Sequence, residues 1–339
     1  MAALPGMPPV QFADTNGIRV GYYEAGPAND EPPMVLCHGW PELAFSWRHQ
    51  IEALGRAGIR VIAPDQRGYG VTDRPEAVEA YDIEHLTADL VGLLDHLKID
   101  KAIFVGHDWG GFVAWQMPLR HPSRVAGVVG INTPHLPRAP VDPIEIYRKR
   151  LGDQMYIVQF QDEARAPDRL FAKNVRSTFE FFMRKPLAQT APSAGAALGM
   201  SSDPAGEGAK KVPNLAFPQM VAAYDAAKDR REMILSDAEM QVFVDTFTRT
   251  GFTGGINWYR NISRNWERAA ELDHRVRVPS LMIMAENDAV LPPSAADGME
   301  KLIPDLEKHL IRDSGHWTQQ EKADEVSAKL IEWRRRRFG

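Results

Sequence analysis

Residues 101–111, KAIFVGHDWGG, restrict the fold more than any other part of the chain. An apolar run of strand length ends at Gly106, and a helical pattern follows almost at once. So abrupt a reversal needs positions without bulk, and Gly106, Gly110 and Gly111 supply them. Strand and helix can then approach closely while the side chain at the apex, Asp108, is pushed outward. This is the strand–turn–helix setting of a nucleophile elbow, with aspartate where the serine of G-x-S-x-G would sit.

An elbow of this kind belongs to a parallel sheet, and the remaining pattern predicts one. Residues 10–25 read as a hairpin about Asn16-Gly17. Strand-like runs follow at 34–37, 60–63, 101–105, 125–131, 281–285 and 309–311. Helical periods fall between them, most clearly over 83–97, with others expected near 43–55, near 294–302 and at the C-terminus. After Pro137 the pattern changes. Residues 138–265 are mostly helical, aromatic and rich in both charges, the clearest helices being 171–183 and 237–247. The second opens with Ser236 and Glu239 in capping-box spacing. Residues 186–209, rich in Ala, Gly, Ser and Pro, read as a long loop. The expected organisation is an α/β core of residues 1–137 and 266–339, its mostly parallel sheet flanked by helices, with a helical cap inserted at 138–265.

An aspartate at the apex changes the chemistry. Serine attacking saturated carbon would form an ether, which water does not readily cleave. A carboxylate forms an ester, and water can then attack the enzyme's own carbonyl carbon. The second step needs a base. His316 follows the last strand-like run and Asp288 the run before it, both at strand C-terminal ends where such sheets build their sites. The order nucleophile, acid, histidine is the α/β-hydrolase order. In that arrangement Asp288 orients His316, and His316 deprotonates water. The main-chain N–H groups of Trp40 and Trp109 are candidates for an oxyanion hole.

With these residues in place the chain resembles the epoxide hydrolases of the α/β-hydrolase fold, close to the soluble type, over nearly its whole length. The resemblance rests on His38-Gly39-Trp40-Pro41 followed by Glu42, on residues 106–111, on 285–288 (AEND) and on 315–319 (GHWTQ). It implies hydrolysis of an epoxide to a vicinal diol without metal or other cofactor. It also implies two cap tyrosines that donate to the epoxide oxygen. Tyr259, in NWYRN, matches one, and Tyr156 matches the other, with Tyr147 as the neighbouring competitor. His38, Glu42 and Trp109 are candidates for contact with substrate, although Glu42 reads equally well as the N-cap of the helix near 43–55. His107 reads as a packed histidine shaping the elbow, 65–68 as a structural turn, and Arg334 to Arg337 as a solvated helix end. A haloalkane or haloacid dehalogenase would use the same aspartate. Some dehalogenases carry Asn after His-Gly, where this chain has Trp40, and some carry their acid after the sixth strand, where it has Asn132. A non-catalytic scaffold binding a small ligand is the reading from another class, and the complete triad opposes it.

Composition removes other classes. Forty-five acidic against forty basic residues give a net charge of −5, with no broad basic field for nucleic acid. One cysteine, Cys37, excludes an internal disulfide framework and a cysteine-based metal site. No apolar run reaches the roughly 18 residues of a membrane span, and the N-terminal residues lack the pattern of a signal peptide. A cytoplasmic enzyme acting on a small epoxide and water, as monomer or homo-oligomer, is the expectation.

Overall fold

The computed structural model describes residues 4–186 and 215–339. Of the stretch expected as a long loop, 186–209, all but Pro186 lies outside the described residues. The expected hairpin is present as β1 (Gln11–Thr15) and β2 (Ile18–Ala25), antiparallel, with positive φ at both Asn16 and Gly17 as the tight turn requires. The other strands are β3 (Met34–Cys37), β4 (Val61–Pro64), β5 (Ala102–His107), β6 (Val125–Ile131), β7 (Ser280–Ala285) and β8 (Leu306–Ile311). Together the eight run in the order β1-β2-β4-β3-β5-β6-β7-β8, parallel from β4 to β8. Every residue of β3, β4 and β5 is buried. Strands covered on both faces read as unbroken apolar runs, which is why they stood out in the sequence.

Three helices accompany the first part of the sheet: α1 (Arg48–Arg56), α2 (Ile83–His96) and α3 (Trp109–Arg120). Between β6 and β7 come α4 (Pro143–Leu151), α5 (Tyr156–Gln159), α6 (Ala166–Lys173), α7 (Val175–Phe182), α8 (Phe217–Ala222), α9 (Asp237–Thr250), α10 (Thr253–Arg260) and α11 (Ile262–Arg268). After β8 the chain ends with α12 (Thr318–Glu321) and α13 (Ala323–Phe338), the latter packed against α1. The capping box is formed, with Ser236 Oγ accepting from Glu239 N and the Glu239 carboxylate accepting from Ser236 N at 2.8 Å.

Three local expectations are corrected. The helix expected over 171–183 is broken, because Asn174 leaves helical geometry and caps α7, accepting from Ser177 N at 3.0 Å. The helix expected near 294–302 is two 3₁₀ turns, Pro293–Ala296 and Met299–Lys301, separated by Gly298 at φ +82°. The arginines at 334–337 are not simply solvated: Arg334 is buried against Glu31, while Arg336 and Arg337 pair with Glu307 and Asp305.

The helical insertion is fastened to the sheet side by specific bonds. Arg48 of α1 donates to Glu239 of α9 at 2.6 Å and to Gln320 of α12 at 2.8 Å. Trp258 of α10 donates its indole N–H to Arg67 O. The ring of Trp40 lies among Phe160, Phe171, Phe182 and Tyr259, with centroids 5.2–5.8 Å away, so one aromatic cluster spans both parts.

Candidate active site

Asp108 stands at the tip of β5 with φ 51° and ψ −124°, a backbone conformation that costs a residue with a side chain about 1–3 kcal/mol. Its neighbours hold it there. The Asp108 carbonyl accepts from Gly111 N at 2.9 Å and from Thr133 Oγ1 at 2.8 Å. Glycine is obligatory at 106 and 110: a Cβ on Gly106 would lie 2.1 Å from Gly110 O, and one on Gly110 2.0 Å from Cys37 O.

The turned-out carboxylate meets the residues expected around it. Oδ1 accepts from Trp40 N at 2.7 Å. Oδ2 lies 3.6 Å from His316 Nε2, and His316 Nδ1 donates to Asp288 Oδ2 at 2.8 Å. Asp288 Oδ1 accepts from Val290 N and Leu291 N at 2.8 and 2.9 Å. Burial alone would raise the Asp288 pKa, but the imidazole beside it, the amide of Asn132 and the N–H of Leu291 outweigh burial and hold it at about 2. For His316 burial would lower the pKa, and the charges and hydrogen bonds of Asp288 and Asp108 override it, pushing the ring well above its usual value. Of the two expected oxyanion donors only Trp40 N–H is engaged. Trp109 N–H, in the first turn of α3, makes no hydrogen bond among the described residues.

A cavity of about 520 Å³ opens over Asp108. Trp109, Tyr156 and Tyr259 line it beside the carboxylate, and Phe112, Leu136 and Trp266 lie among its apolar walls. The rings of Tyr156 and Tyr259 are 5.8 Å apart, centroid to centroid. Burial pushes both phenols well above the ordinary tyrosine value, and the Asp108 charge adds to the effect. Tyr147 also lines the cavity. Burial alone accounts for its rise to about 12, with no contribution from Asp108.

Two expected contacts with substrate are corrected. His38 is fully buried: Nδ1 donates to Gly39 O, Nε2 accepts from Gln66 N at 3.1 Å, and Tyr69 packs edge-on at 4.7 Å. Glu42 is also fully buried and neither lines the cavity nor caps a helix. Its Oε2 accepts from Gly39 N at 2.8 Å and from His107 Nδ1 at 2.7 Å, and its Oε1 from Gln319 Nε2 at 2.7 Å. The cap role belongs to Asp65, which accepts from Ala44 N at 2.9 Å. Three donors identify Glu42 as a carboxylate. His107 Nε2 faces a second acceptor, His316 O at 2.6 Å, so the ring bridges the buried acid and the backbone of the base.

Two groups that the sequence marked without a role of their own support the histidine and its acid. Asn132 Nδ2 donates to Asp288 Oδ2 at 2.6 Å. Trp317 meets the His316 ring edge-on with centroids 4.9 Å apart and donates its indole N–H to Phe182 O, at the end of α7, at 2.6 Å. Among the described residues no group of three or more His, Cys, Asp and Glu side chains is arranged to hold a metal ion, and no helix is long and apolar enough to cross a membrane.

Comparison with known proteins places this geometry. The profile of the alpha/beta hydrolase fold family matches residues 32–323. Epoxide hydrolase A of Mycobacterium tuberculosis (strain ATCC 25618 / H37Rv) is 43% identical over 97% of this chain and 98% of its own. Bifunctional epoxide hydrolase 2 of Mus musculus is 39% identical over 94% of this chain, which spans 53% of that longer protein. Among solved structures, Epoxide Hydrolase A from Mycobacterium thermoresistibile superposes with a TM-score of 0.80 at 37% identity, over 97% of this chain and 98% of that one. An epoxide hydrolase from Vigna radiata gives 0.81 at 30% identity, over 99% and 100%. Sheet, elbow and likeness along almost the entire length agree, and the chain belongs to the epoxide hydrolases of the α/β-hydrolase fold.

Proposed function

We propose that this enzyme adds water to an epoxide in two steps and releases a vicinal diol. In the first, Asp108 Oδ2 attacks an epoxide carbon. The carbon–oxygen bond breaks, its electron pair leaves on oxygen, and the phenols of Tyr156 and Tyr259 hold that oxygen and give it a proton. An alkyl-enzyme ester results. In the second, His316 Nε2 takes a proton from water, whose oxygen attacks the ester carbonyl carbon. Charge accumulates on Oδ1, where Trp40 N–H already points, and the free N–H of Trp109 is assigned as the second donor. Collapse expels the diol as an alkoxide, which takes the proton held by His316; the second proton of the water, left on the reformed Asp108 carboxyl, is released and makes good the one the phenol gave up. Asp288 keeps the imidazole in the tautomer with its bare nitrogen toward the ester.

One observation carries the reading: a carboxylate 3.6 Å from an oriented imidazole shares its cavity with two buried phenols. Phenols suit an oxygen that stays tethered and needs a proton, whereas a departing halide needs only N–H donors, so the dehalogenase alternative leaves them without work. In this reading residues 138–265 form the cap that closes the core of 1–137 and 266–339 over the ester. The reaction is placed in the cytoplasm; the single cysteine is free and buried, so the fold needs no oxidising compartment. Intact-protein mass spectrometry of H316Q mixed with an epoxide tests the covalent route. The expected result is a persistent adduct on Asp108, one substrate mass heavier, and its absence overturns the route.

A further inference from the structure

Asn132 occupies the end of β6, where a carboxylate would have made the dehalogenase reading attractive. It is buried, adopts φ +62° and donates its own N–H to Ile283 O of β7 at 2.8 Å. Asparagine tolerates this left-handed backbone better than most residues, yet glycine would meet it more cheaply. The side chain therefore has a use. Its Oδ1 accepts from Thr318 Oγ1 at 2.8 Å, and its Nδ2 faces Asp288 Oδ2 at 2.6 Å. An ionised carboxylate only accepts, so the amide is oriented without ambiguity. Oδ2 is the same oxygen that receives His316 Nδ1.

We propose that Asn132 is a positioning residue that fixes Asp288 against His316 and, by sharing the receiving oxygen, tempers its pull on the imidazole. The inference rests on the roles assigned above to Asp108, Asp288 and His316. With Asn132 in place four donors surround the Asp288 carboxylate, two on each oxygen. Without it, the charge of Oδ2 falls on the histidine alone, the proton is held more tightly, and less neutral base is present at a given pH. The next residue, Thr133, holds the carbonyl of Asp108, so two consecutive positions steady the acid and the nucleophile separately.

The other charged and titratable groups facing His316 stay the same when Asn132 is changed. They are Asp108 from the elbow, Asp288 from the loop after β7, His107 from β5 at 4.9 Å between ring centroids, and Glu321 from α12. From the insertion, Tyr156 and Tyr259 feel the Asp108 charge.

The test is single-turnover kinetics with styrene oxide, following adduct formation and decay by rapid-quench mass spectrometry across pH. In N132A the acid limb of adduct decay should move toward alkaline pH by roughly one unit, slowing decay about tenfold below the limb. N132G accepts the left-handed backbone at no steric cost and likewise removes the amide, so its limb should move as that of N132A does; it carries the test if N132A does not fold. T133V should slow adduct formation and leave the limb where it is. If the Asn132 variants lower decay equally at every pH, or move the limb no more than T133V does, the residue is only structural and the proposal fails. Absence of an adduct in the unaltered enzyme instead overturns the underlying reading, and this inference with it.

Discussion

Alkylation of Asp108 erases a negative charge beside His316, and D108N does the same without substrate. Unit charges 3.6 Å apart attract by roughly 4 to 5 kcal/mol at an effective dielectric of about 20. The two side chains are 15% and 11% exposed, so solvent screens part of this, and halving it still leaves about 2 kcal/mol, more than tenfold in proton affinity. The sign is fixed: the carboxylate stabilises imidazolium, so its removal releases the proton. His316 should therefore titrate at least about one pH unit lower in D108N than in the unaltered enzyme. NMR of ring-labelled histidine measures this, with H316Q assigning the signal among the ten histidines. Titration of His316 at the same pH in both proteins would refute the reasoning. The expected shift means that ester formation itself delivers the neutral base when the ester needs it. In the resting enzyme the nearby carboxylate of Asp108 favours the charged form of the imidazole.

Y259F and Y156F should each slow adduct formation about 10- to 100-fold, the scale of a hydrogen bond to a charged oxygen, and leave adduct decay nearly unchanged. Y147F should do neither, and stopped-flow single turnovers distinguish the three. G39A should abolish activity, because a Cβ there would lie 2.4 Å from Asp108 Cβ; folding checked by circular dichroism should survive better than turnover. Asp288, depressed to about 2, contributes stability that is present above its unfolded value and lost as pH falls through about 2. Urea titrations from pH 5 to 2 should show the unaltered protein losing roughly 2 kcal/mol more than D288N over that interval.

The chain disclosed its strands because β3 to β6 are buried on both sides and read as apolar runs, and it disclosed the elbow because only small residues fit there. It concealed whatever depends on side-chain direction. His38 and Glu42 sit inside a conspicuous motif, yet both point under the elbow, where they serve Gln66 and His107 rather than substrate. The strand extends through His107, so that residue's ring must face opposite to its neighbours', a signal that could have tied it to a buried acid. Asn174 was also legible, as a capping residue inside a helical period. Asn132 was visible only as a missing carboxylate. Its partnership with Asp288 spans 156 positions of sequence, beyond the reach of any local pattern.

Trp317 gives the hydrolytic half of the reaction a spatial interlock. The indole packs on the imidazole of the preceding residue and grips the last carbonyl of α7. Lifting that helix end off the sheet severs a 2.6 Å bond made by the base's immediate neighbour. The flank of the base is thereby tied to the helical insertion, so the water-activating half of the site is assembled from segments that lie 135 positions apart in the chain.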